Sequence, residues 1–141
     1  VQALRYLLSA EIARAEKRPA DAVSAAQKGL AYQNSPFAVE ILAHCYADAG
    51  ENEKAAQQYE VLIARGNERI ESFDEPAFSR VVDAHYYLAV LYEKLGQTEN
   101  SRKHLKAFLG YWTAPDSDLK MYMDAQRLLR SLPVGTPTAA M

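Results

Sequence analysis

The 141-residue chain has little of what most catalytic and metal sites are made from. Its one cysteine, Cys45, excludes an intrachain disulfide and a cysteine-based metal cluster. Standing among apolar helix residues, Cys45 is expected to act as a buried small hydrophobe. A reducing compartment, cytoplasmic for preference, suits that usage. A count of 16 Lys and Arg against 18 Asp and Glu leaves a formal net charge of -2, without the basic face that a nucleic-acid binder needs. No run of about 18 apolar residues occurs, so no membrane span is expected. The opening VQALRYLLSAEIARAEK carries Arg5 and Glu11 inside its apolar stretch, which marks an amphipathic helix and not a signal peptide. A Gly-rich phosphate loop, G-x-S-x-G and H-E-x-x-H are all missing, and neither enzyme activity nor a cofactor is expected. Paired carboxylates (Glu71 with Asp74 and Glu75, Asp116 with Asp118) fall in loops or at helix starts, where acids favour the helix dipole.

What is present reads as one soluble helical domain. Hydrophobic residues make up 49% and charged residues 24%, enough of each to build a core without staples. Apolar residues recur at spacings of three and four, and no segment alternates as a strand would. Glycine and proline sit at boundaries. Seven helices are expected, over about 2–17, 20–32, 36–49, 52–65, 77–95, 98–111 and 118–132. Pro19 and Pro36 suit helix starts, Ser35 an N-cap, and Gly50 and Gly96 the left-handed position just past a helix end. The tail 133–141 is small, polar and Pro-containing, and reads as disordered. The chain opens on valine in mid-helix pattern and is expected to be a segment of a longer protein.

The helices repeat. Ala43, Tyr46 and Gly50 superpose on Ala89, Tyr92 and Gly96; then Glu53 meets Glu99, Ala55 meets Ser101, Tyr59 meets Leu105 and Leu62 meets Phe108. The first pair follows more weakly, with Ala10 on Ala43, Ala22 on Ala55 and Ala26 on Tyr59. Ala22 and Ala55 lie 33 residues apart and Ala55 and Ser101 lie 46 apart, so about a dozen extra residues separate the second and third pairs.

This pattern of small residue, Tyr, Gly, Ala and Tyr resembles the tetratricopeptide repeat, a helix–turn–helix unit of about 34 residues. The resemblance implies an all-α solenoid: repeats 2–33, 34–67 and 81–115, an insert at 66–80, and a capping helix at 118–132. Ala43 and Ala55 are small because two helices cross closely there, and Tyr46 and Tyr59 fill the wider space beside the crossing. The first repeat departs from the pattern at Ser9 and Ala13, and the third at Ser101. The block from Leu105 to Trp112, followed by Asp116-Ser117-Asp118-Leu119, is similar to the end of such regions in large bacterial regulators, namely Ser/Thr kinases and winged-helix activators. Met121, Ala125, Leu128, Leu129 and Leu132 would form the packing stripe of the cap.

The resemblance implies binding of a protein or peptide in a concave groove lined by the first helix of each pair. The groove positions are Leu7, Glu11 and Arg14; Phe37, Glu40, Ile41, His44 and Asp48; and Asp83, Tyr86, Tyr87, Val90 and Lys94. Phe37, Ile41, Tyr86 and Tyr87 would be apolar anchors, and Glu40 and Asp83 the charged contacts. Where one subclass clamps a terminal carboxylate with lysines and asparagines, this chain has Leu7, Glu11, Ile41, Asp83 and Tyr87, so that clamp is absent. An apolar or mildly basic segment fits better. Some of these side chains could instead pack on the insert or the last helix. Two rival roles stay open: a self-association domain, giving a homo-oligomer, and a small-molecule-sensing domain attached to an enzyme.

Metal binding needs three or four converging ligands. His44 and His85 fall one position apart in equivalent helices, with Glu40 and Asp83 near, but hydrogen-bonded or exposed histidines are expected and no metal. His44 and Cys45 face different directions on one helix, against a Cys–His dyad. The insert, with Ile70, Phe73, Pro76 and Phe78, is expected to lengthen the fifth helix and to pack its two phenylalanines on the core, or else to fold over the groove. Tyr111 and Trp112 are expected to anchor the last repeat on the cap or to form an interface hot spot.

Overall fold

In the computed structural model, residues 1–66, 76–112 and 120–134 are described, and seven helices lie among them. They are α1 (Gln2–Ala15), α2 (Pro19–Tyr32), α3 (Pro36–Asp48), α4 (Asn52–Arg65), α5 (Pro76–Lys94), α6 (Thr98–Gly110) and α7 (Lys120–Ser131). Each described end falls within about two residues of the expected one, as fraying ends allow. Most of the insert, the expected start of the cap and most of the tail lie outside the described residues. No strand occurs among the described residues.

Local chemistry explains the boundaries. Ser35 caps α3, its hydroxyl accepting from the Ala38 amide at 3.2 Å, and Pro36 follows at the first helical position. The first helix of each hairpin ends in the same turn. Amides of Arg18, Glu51 and Gln97 donate back to the carbonyls of Ala13, Tyr46 and Tyr92 at 2.8, 2.9 and 2.8 Å. The residue before each donor adopts a left-handed backbone, with φ of 58° at Lys17, 76° at Gly50 and 74° at Gly96. Two of the three hairpins therefore use glycine there, while the first strains a lysine into the same turn.

α1 pairs with α2, α3 with α4 and α5 with α6, and the hairpins stack in that order with α7 against α6. Each hairpin closes on small residues that are fully buried: Ala10 with Ala22, Ala43 with Ala55, and Ala89 with Ser101, all at 0% exposure. Ser101 keeps its hydroxyl satisfied by donating to the Ala89 carbonyl at 2.8 Å, so a polar residue fits the closest crossing without cost. The first hairpin is thin. Ala13, Ala26 and Gly29 stand where the second has Tyr46, Tyr59 and Leu62, and a methyl group at Gly29 would meet Leu7 Cδ2 at 2.6 Å. One core runs through α1 to α5, from Leu7 to Leu91, and a second joins Val82, Ala89, Leu105 and Phe108 to Ala125 and Leu132 around α7.

α3 lies between α1, α2, α4 and α5, and seven of its residues are buried. Besides Pro36 and Ala47, the stripe Phe37, Glu40, His44 and Asp48 stays open, at spacings of three and four. Odd-numbered helices touch across hairpins, α1 to α3 and α3 to α5, whereas the even-numbered ones make no comparable contact with each other. The odd layer is therefore the inner side of the stack.

Replacing Lys17 by glycine is expected to raise stability by about 0.5–1 kcal/mol, since the left-handed penalty outweighs the extra chain entropy of glycine. Urea unfolding with an unchanged m-value checks this.

Candidate binding face

The inner face is built on α1, α3 and α5. From α1, Arg14 bridges to the next hairpin through Asp48 at 2.6 Å and to Glu11 on its own helix at 3.0 Å. Partial burial works against the Arg14 charge, yet the bonds to Asp48 and Glu11 outweigh it and hold the guanidinium protonated. From α3, Glu40 takes Arg80 of α5 at 3.0 Å, and the Arg80 guanidinium lies 4.9 Å above the Phe37 ring. Phe37 remains 40% exposed.

An aromatic group fills the centre. The Tyr59 hydroxyl lies 2.5 Å from His44 Nδ1. Burial, with lesser help from Tyr87, holds the Tyr59 proton in place, and on its other side the His44 ring sets Nε2 3.6 Å from Glu40 Oε1. Tyr87 stacks on Tyr59 at 5.6 Å and meets the His44 ring edge-on at 5.0 Å. Tyr86 meets Tyr87 at 5.8 Å and turns toward Phe108.

Asp83 is the exception in charge. It is half-buried and makes no hydrogen bond or ion pair among the described residues. Burial pushes its carboxyl pKa up, the Glu40 charge adds to this, and only His44 opposes.

The expected groove residues thus divide. Glu11, Arg14, Phe37, Glu40, His44, Asp48, Asp83 and Tyr87 gather on the inner face; Tyr86 and Val90 are half-buried on α5 and Lys94 is exposed at its end. Leu7 and Ile41 belong to the core instead, each 4% exposed. Ile41 lies about 100° of helix rotation past Glu40, which turns it away from the open stripe. The proximity of His44 and His85 is likewise replaced. His44 meets Tyr59, and His85 meets His104 of α6. Among the described residues no group of three His, Cys, Asp or Glu could hold a metal. Cys45 is fully buried, and burial pushes its thiol up to about 11, which makes it unreactive. No helix of the described residues is long and apolar enough to cross a membrane.

Two features were missed in the sequence. Arg80 falls in the expected insert but supplies the cation for Glu40. His85 and His104 approach at 2.9 Å between their Nδ1 atoms. The repeat alignment holds the signal for that pair: they lie about one helical turn away from the Ala89–Ser101 crossing, on the facing sides of an antiparallel hairpin. His104 Nε2 faces Glu60 Oε1 of α4 at 3.4 Å, and the Tyr92 hydroxyl donates to the same oxygen at 2.7 Å. Burial, with that bond to Glu60, pushes the Tyr92 hydroxyl up to about 12. Tyr111 tilts against His85 at 5.9 Å.

Comparison with protein families, with curated proteins and with solved structures finds nothing that matches this chain.

Both buried histidines have pKa values below the ordinary one. Burial is the main cause for each; the His104 charge adds to it at His85, and Lys103 lowers both against the pull of Glu60. A histidine with a lowered folded-state pKa binds fewer protons folded than unfolded as pH falls through its unfolded value of about 6.5. Stability from this pair is therefore present above about pH 6.5 and lost below it. The urea midpoint is expected to fall between about pH 7.5 and about pH 5.5, and the double variant His85→Leu, His104→Leu to lose most of that slope.

Proposed function

We propose that this chain is a tetratricopeptide-type module, a segment of a larger bacterial regulatory or assembly protein, that docks a peptide or helix on its inner face and performs no catalysis. The observation that carries this reading is the strip of partly exposed rings and charges running from Phe37 across Glu40 and His44 to Tyr87. Large rings with little rotamer freedom beside ionised groups are the composition of binding hot spots. The ion pairs Arg14–Asp48 and Arg80–Glu40 join neighbouring hairpins, so the strip is held in a fixed shape before a partner arrives. Three successive hairpins with the same closing turn and the same small-residue crossing support the tetratricopeptide assignment.

The experiment is peptide selection from a random display library on the full chain, followed by affinity measurement. The double variant Phe37→Ala, Glu40→Gln is expected to weaken the selected peptides at least tenfold, about 1.4 kcal/mol. Val61→Ala on α4, exposed and off the strip, is expected to change nothing. Equal binding by all three proteins would remove the inner face from consideration.

Self-association has its own supporting observation. Leu4, Leu8 and Ile12 are 53%, 54% and 55% exposed and share one face of α1 at spacings of four. A stripe of this kind suits the stacking of a further helix, here from a second copy. On this second reading, sedimentation is expected to reveal concentration-dependent dimers that Leu8→Glu with Ile12→Glu abolishes. A strictly monomeric wild type would dismiss it.

A further inference from the structure

We propose that the cavity between the start of α5 and the end of α6 seats a lysine or arginine side chain of the docked polypeptide, with Asp83 as its counter-ion and Tyr111 and Trp112 as its aromatic wall. This rests on the docking reading above and adds to it the chemistry of the partner.

The cavity measures about 190 Å³ and is lined by Ser79, Val82, Asp83, Tyr111 and Trp112. Its one acid is the one inner-face carboxylate that the fold leaves uncompensated. Glu11 and Asp48 share Arg14, and Glu40 holds Arg80. Asp83 has burial and Glu40 raising its pKa and no cation beside it among the described residues. A half-buried charge without a counter-ion costs stability, and the fold gains nothing visible from it. A guest cation would supply what is missing.

The walls favour a cation carried on an alkyl stem. Tyr111 is 45% exposed and Val82 is buried behind it. Trp112 packs on Phe108 and Tyr122 at 6.1 and 6.2 Å. Its indole N–H is buried without an acceptor among the described residues, so packing alone holds the ring. An aromatic face beside a carboxylate attracts guanidinium or ammonium both electrostatically and by contact with its stem.

The chain already contains the filled version of this arrangement. Arg80 lies over Phe37 and bonds Glu40, and Lys54 lies 5.6 Å from the Tyr46 ring centre and bonds Glu51 at 2.5 Å. At Asp83 the acid and the aromatic wall are in place, and the acid has no cation among the described residues. A polypeptide is favoured over a free amine because Asp83 lies one helical turn from Tyr87 on α5. A chain crossing the strip at Phe37 and Tyr87 would carry its basic side chain to the cavity.

Trp112 is the single tryptophan, so its fluorescence and its indole N–H resonance report on this cavity alone. The full chain is titrated with N-acetyl-arginine amide and with its uncharged isostere, N-acetyl-citrulline amide. The arginine probe is expected to shift both Trp112 signals at millimolar concentration. The citrulline probe, and Asp83→Asn with the arginine probe, are expected to need about tenfold more or to give no response. Asp83→Asn is expected to melt no lower than wild type, since it removes an uncompensated charge; this keeps the variant interpretable. In peptides selected on the inner face, exchanging the basic residue for citrulline is expected to weaken wild type about tenfold and Asp83→Asn hardly at all. An unmoved Trp112, or equal shifts with arginine and citrulline, overturns the cavity while inner-face docking stands. A Trp112 response to the arginine probe without any peptide binding on the inner face overturns the polypeptide occupant and the docking reading together.

Discussion

The close crossing of the two helices in each hairpin is the constraint on which the rest depends. At Ala10 and Ala22, Ala43 and Ala55, and Ala89 and Ser101, no side chain longer than a methyl or hydroxymethyl separates the backbones. Once that contact is fixed, the rotation of each helix about its axis is fixed too. Every other residue is then assigned to a face: Tyr59, Leu62, Leu105 and Phe108 to the core, and Phe37, Glu40, Asp83 and Tyr87 to the inner side. A larger residue at a crossing would rotate or separate the pair. The Ser101 hydroxyl bond to Ala89 shows how tightly the position is held, since it accepts a polar atom only with an internal partner.

Charge on the inner face follows from the stacking and not from any one helix. Arg14 reaches from the first hairpin to the second and Arg80 from the third to the second. Partly exposed pairs of this kind contribute only about 0–1 kcal/mol each. Their larger effect is geometric, because each holds two hairpins at a set spacing and keeps a long side chain from wandering across the strip. Asp83 has no such tie, which gives the face a negative bias at one end and distinguishes that end chemically from the Arg14–Asp48 end.

Helix positions were legible because the chain marks them with ordinary chemistry: Ser35 and Pro36 at a start, Gly50 and Gly96 at ends, and spacings of three and four between. The repeat was legible where size is repeated, and faint in the first hairpin because Ala13, Ala26 and Gly29 shrink every diagnostic position. The open stripe of α3 was legible only to within one residue. Glu40 and Ile41 are neighbours in sequence but lie about 100° apart around the helix. Repeat position alone placed both on the surface, whereas only the identity of the neighbouring helix decides which is covered. Contacts across the insert were not legible at all, since the pairing of Arg80 with Glu40 depends on where α5 begins, which periodicity leaves open. The His85–His104 pair is implied by the antiparallel crossing at Ala89 and Ser101 and not by equivalence between hairpins, which sets His44 beside His85 instead.

The third hairpin differs from the others in what it buries. Its crossing is polar at Ser101, and beside it the His85–His104 pair reaches Glu60 of α4, which Tyr92 of the same hairpin also bonds. A polar network of this sort adds less burial energy than apolar packing of the same volume. In a stacked array, stability is close to a sum of hairpin terms and nearest-neighbour terms. The hairpin with the polar core, next to the α7 cap, is therefore the one whose local stability rests least on apolar burial. The inner strip ends on this same hairpin, at Asp83 and Tyr87. A ligand that binds only the folded form of a hairpin stabilises it by mass action, so on the docking proposal occupancy of the strip and the firmness of the α5–α6–α7 packing would be thermodynamically linked.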